Sequence, residues 1–189
     1  VYTQMLNTDG GIEADVTIVC LERNYFRIIS SAATRERDKF HINKNLTTNI
    51  ELTDVTDKYC VFGLFGPKSR ELITSISKED FSNKNFKFAT GKKIKINNVD
   101  TWVQRLSYVG ELGYEIYVEF DKAVEIYSLL INEGKKYNIS NCGMHSLDIM
   151  RMENGFLHWG HDISPEENQY QAGLEFAISC LLYTSPSPR

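Results

Sequence analysis

Gly110-Glu111-Leu112-Gly113-Tyr114-Glu115-Ile116-Tyr117-Val118-Glu119-Phe120 decides the fold. Its Gly-x-x-Gly opening reads as a turn, and Tyr114–Phe120 reads as a strand. Upstream, Lys92–Ile96 and Thr101–Tyr108 read as two more strands, with Asn97-Asn98 as the turn between them. Downstream, Lys122–Tyr137 places Val124, Tyr127, Leu130 and Ile131 at helical spacing, the pattern of an amphipathic helix.

The same alternation of strands and turns holds further out. Tyr2–Leu6 and Ala14–Cys20 flank the turn cluster Asn7-Thr8-Asp9-Gly10-Gly11, whose Asp-Gly pair is a hairpin signal. Tyr25–Ile29 makes a third strand, and Thr34–Asn45 has the sparse apolar points of a surface helix. Ile50–Val55 alternates cleanly. Tyr59–Phe65 is nearly continuously apolar, which predicts a strand buried on both faces. Pro67 at a first helical position opens a helix to Ile76 that buries Leu72, Ile73 and Ile76. Met144–Asn154 is a shorter helix stopped by Gly155. Antiparallel strand runs interleaved with three or four helices give an α+β class rather than a doubly wound sheet. No internal repeat is visible in the residues.

Composition narrows the function classes. With 42% hydrophobic and 24% charged residues the chain is an ordinary globular one, and its net charge of -4 leaves no basic footprint for nucleic acid. Cys20, Cys60, Cys142 and Cys180 show neither metal-ligand nor redox spacing, and a reducing compartment is the natural reading. No apolar run approaches the roughly 18 residues of a membrane span. Residues 180–189 change character: Pro186 and Pro188 lie in a stretch with no helical or strand period. This tail resembles translated adapter or vector sequence, a Pro/Ser linker being the alternative. It is set apart from a domain at 1–179 whose true N-terminus is expected to lie before Val1.

Phosphate-binding glycine loops and nucleophile elbows are absent. His158, His161 and Asp162 supply two imidazoles, with no cysteine or third histidine at zinc spacing, and read as a polar loop after a helix. No metal site is expected. Asp15, Glu111 and Glu115 are the carboxylates of interest. An aspartate in a strand interior is disfavoured, so Asp15 either faces solvent or has a task. Alternation sets Glu115 on the face of Gly113 and Tyr117, opposite Tyr114 and Ile116. Spacing alone reads all three as solvent-facing on half-exposed strands. Arg151 reads as an ion-pair partner of Asp148.

Six pieces, in order, resemble the aminomethyltransferase (glycine-cleavage T-protein) superfamily. They are Val1–Asn7, Gly10–Thr17, Gly63–Leu72, Ser107–Glu115, Leu147–Glu153 and Trp159–Pro165, with Ala172–Leu174 behind the last. The likeness runs from Val1 to about Ile178. It is strongest to the branch fused behind a flavin oxidoreductase, the sarcosine and dimethylglycine dehydrogenases. The resemblance implies a partial aminomethyltransferase folate-binding fold that lacks its first strands and its C-terminal barrel. It implies tetrahydrofolate as the cofactor and an enzymatic one-carbon transfer from a methylamine-derived iminium. Glu115 stands where the family reads the pterin, and a carboxylate suits the flat pair of pterin donors. Asp15 stands at the family's essential aspartate, beside the nitrogens that receive the carbon. Tyr2 matches an aromatic position lining the folate pocket, and Arg151 and Trp159 fall in motifs near it. Any FAD would belong to a flavin domain in cis, outside this chain, in a bacterial cytoplasmic or mitochondrial-matrix enzyme.

Ala14 and Leu147 depart from the glycine-cleavage branch, which usually has a second acid and an arginine at these places. A stand-alone aminomethyltransferase and a non-catalytic binding module of the same fold remain the alternatives.

Overall fold

The computed structural model describes residues 1–179, so the reading of the tail lies outside the described residues. The chain divides into two compact units: Val1–Asp54 together with the chain from Leu157 on, and Val55–Phe156.

In the first unit, β1 (Tyr2–Leu6) and β2 (Ile12–Glu22) form the expected hairpin, and β3 (Tyr25–Ile29) pairs with the far half of β2. The turn closes because Asn7 accepts twice on its side-chain oxygen, from the N–H groups of Asp9 and Gly11 at 3.0 and 2.8 Å. This is an Asx-type turn, in which a side chain replaces a backbone acceptor. Alternation along β2 buries Ile12, Ala14 and Val16 and leaves Glu13 and Asp15 on the opposite face. Ile12 packs with Ile163 and Leu174. Helix α1 (Arg35–Asn45) is the polar surface helix expected; its one buried side chain is Asp38. Ile50–Val55, despite its alternation, contains no strand.

The second unit is built on an antiparallel sheet of β4 (Tyr59–Phe65), β5 (Gly91–Ile96), β6 (Val99–Gln104) and β7 (Gly113–Glu119), in the order β4-β7-β6-β5. One face supplies Leu64, Tyr114, Ile116, Val118, Val103, Ile94 and Ile96. They meet Leu72 and Ile73 of α2 (Ser69–Ile76) and Ile126 and Leu130 of α3 (Ala123–Gly134). Phe81 stands edge-on to Phe86 and to Tyr114, with ring centroids 5.4 Å apart in both pairs. Such geometry satisfies the ring quadrupoles as well as burying area.

Three sequence expectations change here. Tyr59–Phe65 is not covered on both faces: β4 is an edge strand and Val61 is 51% exposed. Its apolar run reflects a core face plus the glycine and aromatic residues of the other face. Helix α2 starts at Ser69, with Lys68 at its cap and Pro67 in the preceding turn. The helical phase of α3 is also shifted: Ala123, Ile126 and Leu130 point inward, whereas Val124 is 77% exposed. Helix α4 (Met144–Glu153) ends as read, with Gly155 donating to the Met152 carbonyl at 3.0 Å and Phe156 to that of Arg151 at 2.9 Å. These two bonds are a Schellman closure. Among the described residues, no helix is long and apolar enough to cross a membrane.

The expectation of no internal repeat is overturned as well. Tyr2-Thr3-Gln4, Gly10 and Asp15-Val16-Thr17 recur as Trp102-Val103-Gln104, Gly110 and Glu115-Ile116-Tyr117. The pairing recurs too: Gln4 faces Asp15 and Tyr2 faces Thr17 in one ladder; Gln104 faces Glu115 and Trp102 faces Tyr117 in the other. Gly10 and Gly110 both have positive φ, 85° and 73°. Few identities survive, so the repeat shows only in register and chemistry.

Candidate functional site

Each repeated hairpin carries one of the carboxylates singled out from sequence. In the first unit, Asp15 Oδ1 accepts from Gln4 Nε2 at 2.8 Å, and Oδ2 accepts from the Tyr2 hydroxyl at 3.0 Å. Gln4 is 7% exposed, and its Oε1 accepts from Gln169 Nε2 at 2.8 Å. The Tyr2 ring stacks on Phe176, centroids 6.1 Å apart. Burial pushes the Asp15 carboxyl above its ordinary value; the hydrogen bonds from Gln4 and Tyr2 oppose this without cancelling it. Asp15 is therefore a partly desolvated acid held by two donors, able to orient or exchange a proton with an amine at its edge.

In the second unit, Glu115 Oε2 accepts from the Tyr117 hydroxyl at 2.7 Å and from Gln104 Nε2 at 2.9 Å. Gln104 Nε2 also donates to the Tyr117 oxygen at 2.9 Å, closing a small ring of bonds. The Gln104 oxygen accepts from the Trp102 indole N–H at 3.2 Å. Both Glu115 hydrogen bonds fall on Oε2, which leaves Oε1 as the acceptor edge of the carboxylate. Gly63 stands opposite Glu115 in the ladder, and the Phe65 ring lies over Gly63 and Gly113. A Cβ at either glycine would sit 2.5 or 2.3 Å from that ring, so only hydrogen is tolerated beneath it. A flat aromatic surface beside an acceptor edge suits a planar heterocycle bearing N–H groups.

Of the other predicted residues, Arg151 is buried and Trp159 is half-buried. Arg151 is 5% exposed; its Nε donates to Asp148 Oδ1 at 3.2 Å and its Nη1 to the Phe156 carbonyl at 3.0 Å. The ion pair with Asp148 is the one read from spacing. Trp159 packs on the Ile12–Leu174 cluster, and its indole N–H donates to the Ile12 carbonyl at 2.8 Å. The Arg37 guanidinium lies 4.1 Å over its ring, and Arg37 also binds Glu13 through the carbonyl and the carboxylate. The His158 and His161 rings lie 4.4 Å apart in a loop closed by Asp162, which accepts from the His158 N–H at 2.8 Å.

Sequence reasoning missed Gln4, Gln104, Trp102 and Gln169. Glutamine carries no motif of its own, and only the strand register sets Gln4 and Gln104 opposite the carboxylates.

The 4-methylaminobutanoate oxidase (formaldehyde-forming) of Paenarthrobacter nicotinovorans is 37% identical over 180 residues, covering 95% of this chain and 22% of that protein. Human mitochondrial dimethylglycine dehydrogenase is 29% identical over 179 residues, covering 93% and 21%. The aminomethyltransferase of Halothermothrix orenii is 30% identical over 178 residues, covering 94% and 49%. This chain thus spans about a fifth of the first two and about half of the third. The crystal structure of the glycine cleavage system aminomethyltransferase T from Bartonella henselae superposes with a TM-score of 0.81 at 21% identity. It covers 97% of this chain and 48% of that one, which establishes the fold. The GCVT N-terminal domain family matches residues 1–181, and the chain belongs to that family.

Proposed function

We propose that this chain is the tetrahydrofolate-binding part of a demethylating amine oxidoreductase, with Glu115 reading the pterin and Asp15 serving the carbon transfer. The observation that carries the reading is Glu115, bonded on Oε2 by Gln104 and Tyr117, with Gly63 opposite it in the ladder and the Phe65 ring over Gly63. A charge-assisted hydrogen bond from a ring N–H to its Oε1 contributes about 1.5–3 kcal/mol. Tetrahydrofolate, when bound, supplies the nitrogens that take up a one-carbon unit as the 5,10-methylene form. Asp15 holds the cationic nitrogen of a methylamine-derived iminium, such as that from sarcosine or dimethylglycine, and stabilises its charge as it approaches. Tyr2 lines the same carboxylate. Arg151 and Trp159 act in support, Arg151 by fixing the end of α4 and Trp159 by anchoring the start of β2.

Two relatives support the oxidoreductase context: the oxidase at 37% identity and the dehydrogenase at 29%. A flavin domain in cis would then produce the iminium. The 30% identical aminomethyltransferase supports a second reading, a stand-alone transferase. The coding sequence upstream of Val1 separates the two: a GxGxxG flavin fingerprint favours the first, a nearby start codon the second.

The test is thermal unfolding of the chain with and without 5-formyltetrahydrofolate. Ligand at about 100 times its Kd is expected to add about 2.7 kcal/mol to stability. Glu115→Ala is expected to abolish the shift while keeping a cooperative transition. A shift of the same size in Glu115→Ala removes Glu115 as the pterin reader, and no shift in the wild type favours a binding module of another specificity.

A further inference from the structure

Both carboxylates are held by the same device, and the device contains a residue type to which the reading above gives no task. Gln4 and Gln104 stand directly opposite Asp15 and Glu115 in their ladders. The sequence separation is 11 in each case. Both amides are buried, at 7% and 2% exposure. Each directs its NH2 at the carboxylate, and each has its oxygen occupied by an N–H donor, from Gln169 in one unit and Trp102 in the other.

An unclamped glutamine can rotate its amide by half a turn at little cost. Here rotation would aim the amide oxygen at a carboxylate and the NH2 at another N–H, losing two hydrogen bonds at Gln4 and three at Gln104 and adding two repulsive contacts at each. The clamp therefore keeps a donor on the carboxylate. A hydroxyl completes the hold from the first strand in one hairpin, Tyr2, and from the second strand in the other, Tyr117. Since the hydroxyl changes strands while the glutamine does not, the glutamine is the constant element of the device.

We infer that Gln4 and Gln104 are positioning residues, clamped amides that set the plane of Asp15 and of Glu115 and so fix which carboxylate edge meets a ligand. The inference rests on the folate reading for what Glu115 binds, and on geometry alone for the orientation of both acids.

Other charged groups lie on the described elements around Asp15. Glu13, on the same face of β2, is paired with Arg37. Arg27 of β3 faces Val19 in the ladder, further along the strand. Glu175, in the turn Glu175–Ala177 that packs on β1, is exposed.

Two experiments on the full chain test it. In calorimetry with 5-formyltetrahydrofolate, Gln104→Leu is expected to bind about tenfold or more weakly at every pH. Gln104→Glu sets two carboxyls at hydrogen-bond distance. It is expected to bind weakly near neutral pH and to recover as pH falls, when a shared proton restores the donor. A residue that merely fills space would give a pH-independent loss. Wild-type affinity across pH in both variants overturns the role of Gln104.

The second experiment needs no ligand. The Asp15 carboxyl carbon is titrated by NMR in the wild type, in Gln4→Glu and in Gln169→Leu, the last of which unclamps Gln4 without touching Asp15. The Asp15 midpoint is expected to move upward in both variants, further in Gln4→Glu. An unmoved midpoint in both overturns the role of Gln4. If the wild type fails to bind the probe yet the Asp15 midpoint moves, the folate reading fails and the clamped amide stands.

Discussion

Asp15 is an acid whose surroundings work against its charge. Burial raises its carboxyl above the ordinary aspartate value, and Gln4 and Tyr2 only partly restore it. Between the ordinary value of about 3.9 and the raised one, the folded chain keeps a proton that the unfolded chain has released. Stability therefore falls as pH rises through that window. Asp15→Asn has no proton to lose, so its Tm relative to the wild type is expected to climb from about pH 4 upward and to level off above the raised value. A Tm difference that stays flat with pH in matched scans would sink this account. Sequence spacing read Asp15 as a solvent-facing residue or one with a task. Its partial burial was not legible because Gln4, which bonds it, and Gln169, which bonds Gln4, become neighbours only through strand pairing and loop return. The resemblance pointed to these two carboxylates; nothing in the residues pointed to the amides that bond them.

At the scale of the element, the two hairpins show what local sequence controls. Gly10 and Gly110 occupy the same place in the repeat and both adopt positive φ. Around Gly10 there is open space, whereas a Cβ at Gly110 would lie 2.2 Å from Asn154, whose side chain bonds the Met150 carbonyl at 2.8 Å. Gly10→Ala is expected to cost the conformational penalty alone, about 1–2 kcal/mol. Gly110→Ala is expected to cost about 1 kcal/mol more as the Asn154 bonds break. Urea unfolding of the two variants measures this, and equal losses would show that Asn154 swings aside freely. Strand and helix identity was legible nearly throughout, because turns such as Asn7–Gly11 and periods such as that of β7 are local signals. Exposure was less so. β4 was read as covered on both faces since its residues are apolar, but being an edge strand is a property of the sheet order rather than of the strand. Ile50–Val55 alternates without forming a strand for a similar reason: period alone supplies no pairing partner.

For the molecule as a whole, the two units are unequally provided with core. The second gathers Leu64, Ile73, Phe81, Tyr114, Ile116 and Ile126 into one large cluster, whereas the first centres on Ile12, Ile163 and Leu174 among the described residues. Burial scales with apolar area, so the first unit is expected to open at lower urea. Residue-resolved hydrogen exchange checks this: amides of β1 and β2 are expected to exchange faster than those of β6 and β7, and the reverse order would contradict it. The division into units was not legible from the residues, because the first unit is assembled from both ends of the chain. The chain has two tryptophans, Trp102 and Trp159, and they fall one to each unit. Trp102 shares a hydrogen-bond chain with Glu115, and Trp159 lies under the Arg37 guanidinium. Each unit thus contains its own fluorophore: with Trp159→Phe the emission reports on the surroundings of Glu115, and with Trp102→Phe on the base of the hairpin that carries Asp15.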